Sequence, residues 1–389
     1  MSRGAFSPHR SSDVIIVGGG VIGLAIARAL GLRGVTKVTL IERGQPGAEA
    51  SWAAGGILAP QVEADHPDDF FRLAAASRDL YPAFAASLKS ESGVDVELDQ
   101  TGTIYAGFTD EDEKELRARY EWQSSEGLSV EWLTAEEAHQ LEPHVSPRVQ
   151  CGLRFPNDYQ IENRRLVEAL LIANDKLGMR LLKDTVVGEL KIEGGRITGV
   201  ETSSGFAAAP AVVLAAGAWA SLIKSNGAQI QIEPVRGQML CFESRPQIAR
   251  HVIYSSRGYL VPRRDGRLLA GSTTEQAGFD KRVTGEGERA IRSMANEIAP
   301  ATEHLPLIGS WAGFRPRAAD DLPVLGPDPE IDGLFYATGH YRNGILLTPI
   351  TADSIAAAIV DGVAPPMLAV FSPDRFRIAI TKSVLDARF

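Results

Sequence analysis

Cysteine is scarce: Cys151 and Cys241 are the only two in 389 residues. That excludes a disulfide framework and fits a reducing, cytoplasmic setting. No apolar run reaches the roughly 18 residues that read as a membrane span. Basic charge is also short, with 40 Lys and Arg against 49 Asp and Glu and a net charge of −9, which argues against nucleic acid as a partner. Residues 1–12 contain Arg3, His9 and Arg10 but no apolar segment, so they read as a flexible tail and not a secretory signal. The histidines (His9, His66, His139, His144, His251, His304, His340) show no metal-ligand spacing, and Pro143 separates the closest pair, so no metal is expected. Apolar residues, by contrast, make up 44% of the chain, ample for a buried core, and the length suits two domains or one large one.

The chain is organised around residues 13–42, DVIIVGGGVIGLAIARALGLRGVTKVTLIE. An apolar run, Val14–Val17, meets a glycine cluster, then a helical stretch from Val21 to about Leu32, then a second apolar run, Val38–Ile41, that ends at Glu42. This reads as a βαβ unit. Gly18, Gly20 and Gly23 have the G-x-G-x-x-G spacing between strand and helix. Gly18 permits the tight turn, Gly20 lets backbone approach a pyrophosphate, and Gly23 lets the helix pack on the strand. The helix N-terminus offers N–H groups and partial positive charge to phosphates. Glu42 stands where a carboxylate accepts hydrogen bonds from a ribose diol and repels a 2′-phosphate, so the motif indicates FAD or NAD(H) and not NADP(H).

Further on, residues 44–60 are rich in small residues and nearly free of charge, which suits backbone pressed against a flat ligand. Residues 67–92 have a helical apolar stripe, 94–108 alternate like a hairpin, 110–126 read as a solvated charged helix, and Thr134 with Glu137 forms a capping box. A helix from Asn163 to Leu177, a strand at 180–183 and a hairpin around Gly194–Gly195 lead into a buried strand at 211–215 and the turn Ala216–Trp219, where Gly217 leaves backbone room. From 231 to 274 the pattern turns to antiparallel strands, which marks a second, inserted domain. Finally, Gly339 to Gly344 precedes a helix with Thr348 at the N-cap and Pro349 at its first position. A group that becomes negative, such as the N1–C2=O edge of a reduced flavin, suits that helix start.

Several stretches together resemble the D-amino acid oxidase-like flavoenzymes, and within them the glycine oxidases, which include an enzyme of thiamine synthesis. They are DVIIVGGGVIGLAIA with Glu42, SWAAGGILAP (51–60), AAGAW (215–219), PVRGQ (234–238), GYLVPR (258–263), AGFRP (312–316) and GHYRNGILLTP (339–349). The resemblance covers nearly the whole chain. It implies a mixed α/β fold: a Rossmann-like FAD-binding domain of the glutathione-reductase and D-amino acid oxidase type, with an inserted antiparallel-sheet substrate domain. The expected boundaries are 13–90, 147–222 and 310–365 for the FAD-binding domain, 91–146 and 223–309 for the substrate domain, and a C-terminal tail at 366–389.

The resemblance also implies site residues. Val21, Ile22, Glu42 and Arg43 would line the ADP half; Ala50, Ser51, Gly55, Gly56 and Ile57 would lie along the pyrophosphate and isoalloxazine; Val187 would meet adenine. His340, Tyr341, Arg342, Asn343, Gly344, Ile345 and Leu346 would frame the flavin ring. Arg315 would pair with the substrate carboxylate, Tyr259 would help to hold it, and Arg342 would stand at the substrate end. A salt bridge from Arg315 to Asp320 or Asp321 is the structural alternative. The implied reaction is oxidative deamination of glycine, sarcosine or a small D-amino acid. Hydride passes from Cα to flavin N5, and reoxidation by O2 gives H2O2, glyoxylate and ammonia. FAD is expected to be non-covalent, because 51–58 contains no His and neither cysteine lies in a ring motif. A homotetramer is implied as well. The alternatives are a related D-amino acid or secondary-amine oxidase or dehydrogenase, with O2 or a quinone as acceptor, and an inactive flavin-binding subunit.

Overall fold

The structure, a computed structural model, describes residues 11–225 and 230–376. Two sheets organise it. The first has six strands in the order Val324–Pro327, Leu334–Thr338, Ala211–Leu214, Val14–Val17, Val38–Ile41 and Arg180–Leu182. All neighbours are parallel except the first pair. Val14–Val17 and Val38–Ile41 are buried at every position, which is why they read as unbroken apolar runs instead of alternating ones. One face carries the helices Val21–Leu32, Asn163–Lys176, Thr348–Asp361 and Asp69–Ser92. The other packs on a three-stranded antiparallel sheet, Val187–Glu193, Arg196–Thr202 and Gly205–Ala208, through Val187, Leu190, Ile197 and Val200.

The second sheet has eight strands: Leu307–Ala318, Ile232–Glu243, Arg267–Gly271, Gly258–Pro262, Val252–Ser255, Thr103–Gly107, Cys151–Phe155 and Glu131–Thr134. Its side chains alternate between faces. Leu240 and Phe242 meet the helix Gly285–Ile298, while Met239 and Cys241 point to the opposite face with Tyr254 and Tyr259. That helix buries Ile291, Met294 and Ile298, each contributing about 1.5–3 kcal/mol.

The structure departs from the sequence expectations in five places. Residues 94–108 do not form a hairpin: Thr103–Gly107 pairs antiparallel with Cys151–Phe155 and parallel with Val252–Ser255. The expected FAD-binding segments 147–222 and 310–365 contain strand residues of the eight-stranded sheet, in Cys151–Phe155 and Leu307–Ala318. The stretch from 366 is not all tail, since Pro366–Phe371 forms a 3-10 turn with Leu368 and Phe371 buried. Residues 1–10 and 377–389 of the two expected tails lie outside the described residues, whereas Ser12 hydrogen-bonds Thr39 Oγ1 at 2.8 Å. Finally, Thr348 is already helical, with Leu347 at the cap, so the helix starts one residue early.

Candidate functional site

The crevice opens where the parallel sheet changes direction, at the carboxyl ends of Val14–Val17 and Ala211–Leu214. Gly18 has φ +114°, and a Cβ there would stand 2.3 Å from the Ala215 carbonyl oxygen, so only glycine fits. The helix that follows is capped by Gly20 without a side-chain acceptor. Its Val21 N–H donates to Ser51 Oγ at 3.0 Å, and its other first-turn N–H groups have no helical carbonyl to bond. Glu42 is fixed at the crevice wall: its carboxylate accepts from Gly19 N at 2.7 Å and Gly44 N at 2.9 Å. Arg43 lies 3.8 Å from the Trp219 ring centre and pairs with Glu49 at 2.6 Å.

From there a cleft of about 560 Å³ runs between the two sheets, from Val187 at one end to Tyr259 and Arg315 at the other. Small residues (Ala50, Ala53, Ala54, Gly55) form part of its wall. Buried Arg263 holds that wall by donating to the Gly55 carbonyl at 2.7 Å and the Ile161 carbonyl at 2.8 Å. Asn163 adds a bond to the Ser51 carbonyl at 2.7 Å. A glycine cradle, an open helix start and a fixed carboxylate on one elongated crevice fit a two-ended nucleotide.

At the far end the crevice meets a cavity of about 50 Å³ lined by Glu63, Tyr254, Tyr259, Ser272, Arg315 and Arg342 among others. Arg315 donates to the Thr273 carbonyl at 3.0 Å and to Ser272 Oγ at 2.5 Å. Gly237 on the neighbouring strand makes room for it, since a Cβ there would lie 2.4 Å from the guanidinium. Among the described residues Arg315 has no carboxylate partner. Asp320 is taken by Arg375 at 2.7 Å and Asp321 by Arg317 at 2.5 Å, which removes the structural alternative. The Tyr259 hydroxyl lies 3.4 Å from Ser272 Oγ, so phenol and guanidinium share one anchor. Arg342, exposed at the mouth, stands 3.5 Å from Glu63, whose charge raises the guanidinium pKa. Burial holds the Tyr254 phenol pKa well above its ordinary value. His340 is buried, with Nε2 3.1 Å from Thr351 Oγ1, and burial lowers its pKa from 6.5 to about 3, so the imidazole is neutral.

The loop that carries Arg342 is tied to the Arg315 strand by the Tyr341 N–H, which donates to the Pro316 carbonyl at 2.8 Å. Two motifs distant in sequence thus meet. Of the expected cofactor residues, Gly18, Gly20, Val21, Ile22, Glu42, Arg43, Ala50, Ser51, Gly55, Val187, Gly217, His340, Tyr341, Arg342, Gly344 and Ile345 line the cleft, while Gly56, Ile57 and Asn343 line the small cavity. Gly23 lies behind, packed on Gly18. Leu346 does not reach the cleft: its side chain is buried in the core and its carbonyl accepts from Ser77 Oγ at 2.6 Å. Neither cysteine lines the cleft; both are buried, and burial raises both thiol pKa values. Sequence reasoning missed Glu63, Tyr254, Ser272 and Arg263. Tyr254 could have been found by pairing 252–255 with 258–262, which sets it opposite Tyr259.

The family model described as FAD dependent oxidoreductase matches residues 13–358. The chain belongs to that family. Glycine oxidase of Pseudomonas aeruginosa is 35% identical over 348 residues, 89% of this chain and 94% of the relative. The hydrogen cyanide synthase subunit HcnC of the same organism is 31% identical over 405 residues, 95% of this chain and 97% of the relative. Among solved structures, glycine oxidase from Geobacillus kaustophilus superposes with a TM-score of 0.89 at 36% identity, covering 92% of this chain and 97% of that one. The protein is therefore an FAD-dependent oxidoreductase of the D-amino acid oxidase type, and the nucleotide that fits its crevice is FAD.

Proposed function

We propose that this flavoenzyme oxidises glycine and similarly small amines, such as sarcosine or small D-amino acids, to imines that hydrolyse in water. From glycine the products are glyoxylate and ammonia. The observation that carries the reading is Arg315: a guanidinium without a carboxylate partner among the described residues, lining a cavity of about 50 Å³ at the end of the FAD cleft. A planar guanidinium binds a carboxylate through paired, charge-assisted hydrogen bonds. Ser272 and the Thr273 carbonyl hold the guanidinium in place, and the Tyr259 hydroxyl, anchored on the same Ser272 Oγ, lines the same cavity. Bound FAD supplies the hydride acceptor and the route of electrons to O2, giving H2O2.

The protein's part is mainly positioning. The clamp on the carboxylate orients Cα toward the flavin. The neutral imidazole of His340 adds no charge there. Glu63 is already engaged by Arg342 and Tyr254, so the substrate amine is expected to react as the free base without a dedicated side-chain base. The likeness to HcnC favours one second reading, a flavin-binding subunit of a heteromeric oxidase. A panel of glycine, sarcosine, D-alanine and D-proline with H2O2 readout tests both. Turnover of glycine or sarcosine supports the oxidase, and no turnover of any member supports the subunit. A cytoplasmic homotetramer that feeds thiamine synthesis completes the proposal; light scattering measures the assembly, and growth of a deletion strain without thiamine tests the pathway.

A further inference from the structure

Glu63 is a carboxylate built into the mouth of the amino acid cavity, and the clamp just described gives it no task. It ends the short helix Pro60–Glu63. Buried Asp158 fixes that helix by accepting from Gln61 N at 3.2 Å and Val62 N at 2.9 Å. Arg119 also holds it, donating to the Val62 carbonyl and pairing with Asp65 at 2.7 Å. The Glu63 carboxylate then accepts from the Tyr254 hydroxyl at 3.1 Å and stands 3.5 Å from Arg342. The cavity thus has two guanidinium groups, and one of them is already answered by a fixed acid.

We propose that Glu63 sets substrate charge. By occupying Arg342 it leaves Arg315 as the cavity's one open carboxylate site, so the enzyme accepts amino acids with a single carboxylate and turns away those with a second. This rests on the assignment of Arg315 to the substrate carboxylate. A second carboxylate entering the native cavity meets Glu63 as a like charge and must compete with it for Arg342. Loss of the Glu63 charge removes the repulsion and opens the fork of Arg342 to a new charge-assisted pair.

The test is titration of the flavin absorbance of holoenzyme with acetate and malonate, wild type against Glu63→Gln. The ratio of malonate to acetate affinity is expected to rise about tenfold in the variant, the size of one charge-assisted hydrogen-bonded pair. It is expected to fall back when Arg342→Gln is added. Glu63→Asp draws the acid away from Arg342 and is expected to shift the ratio the same way by less, which keeps the test available if the Gln variant does not fold. An unchanged ratio in a folded, flavin-loaded variant overturns the proposal, as does a rise that survives Arg342→Gln. The reading of Arg315 fails separately, if Arg315→Ala leaves acetate affinity unchanged.

Discussion

The two ends of the cleft are built from different materials. At the end that fits the nucleotide the surface on offer is largely backbone, a glycine turn and open N–H groups, with one side-chain carboxylate fixed by two amides. At the end proposed for the amino acid it is side chains, Arg315 and Tyr259 from two strands, Glu63 from a short helix and Arg342 from a loop. Backbone recognition needs the chain in one local conformation, so it tolerates few residue types and leaves a spacing in the sequence. Side-chain recognition needs only that distant elements converge, and convergence leaves no local trace.

Substitutions at each end can break this comparison. The largest effect is expected from Gly18→Val, which places a side chain against the Ala215 carbonyl at a positive φ. FAD affinity should fall by about a hundredfold or more, read from the flavin-to-protein absorbance ratio of folded protein. Retention of FAD would show that the turn is not what holds the nucleotide.

A smaller effect concerns His340 and pH. Its folded pKa of about 3 lies below the ordinary 6.5, so the unfolded chain takes up the proton first. Its contribution to stability is therefore complete above 6.5 and is lost as pH falls toward 3. At pH 5 the loss is about 2 kcal/mol, and His340→Gln should flatten the fall of Tm between pH 7 and pH 5. An equally steep fall in the variant would contradict the assignment of a neutral buried imidazole. Smallest is Tyr259→Phe, which removes one hydroxyl from the clamp. It should lower kcat/KM by about fivefold with FAD content unchanged; a loss of FAD instead would blur the boundary between the two ends.

The same contrast explains what the sequence made legible. The spacing of Gly18, Gly20 and Gly23, with Glu42 at the end of the next strand, pointed to the crevice that Gly18, Gly20 and Glu42 line, because the glycines answer backbone requirements and leave a local pattern. Arg315 was open to a surface-bridge reading from its neighbours Asp320 and Asp321; only the family likeness favoured the substrate role, and the structure shows both acids paired elsewhere. Glu63 and Ser272 had no local signal at all, since each acts through a residue far along the chain. Thr103–Gly107 is a strand, as the pattern at 94–108 suggested, but it is buried at every position and its partners are strands 151–155 and 252–255, which local periodicity cannot name. Gly237 was quoted within a motif, yet its task of leaving space for Arg315 appears only when the two strands are paired.

The separation of the two ends is tested most directly by measuring FAD content and steady-state kinetics on one preparation of Arg315→Ala. The account predicts FAD bound as in the wild type and a KM for the amino acid raised about a hundredfold, the loss of a charge-assisted carboxylate clamp. An unchanged KM, or loss of the flavin, would contradict it.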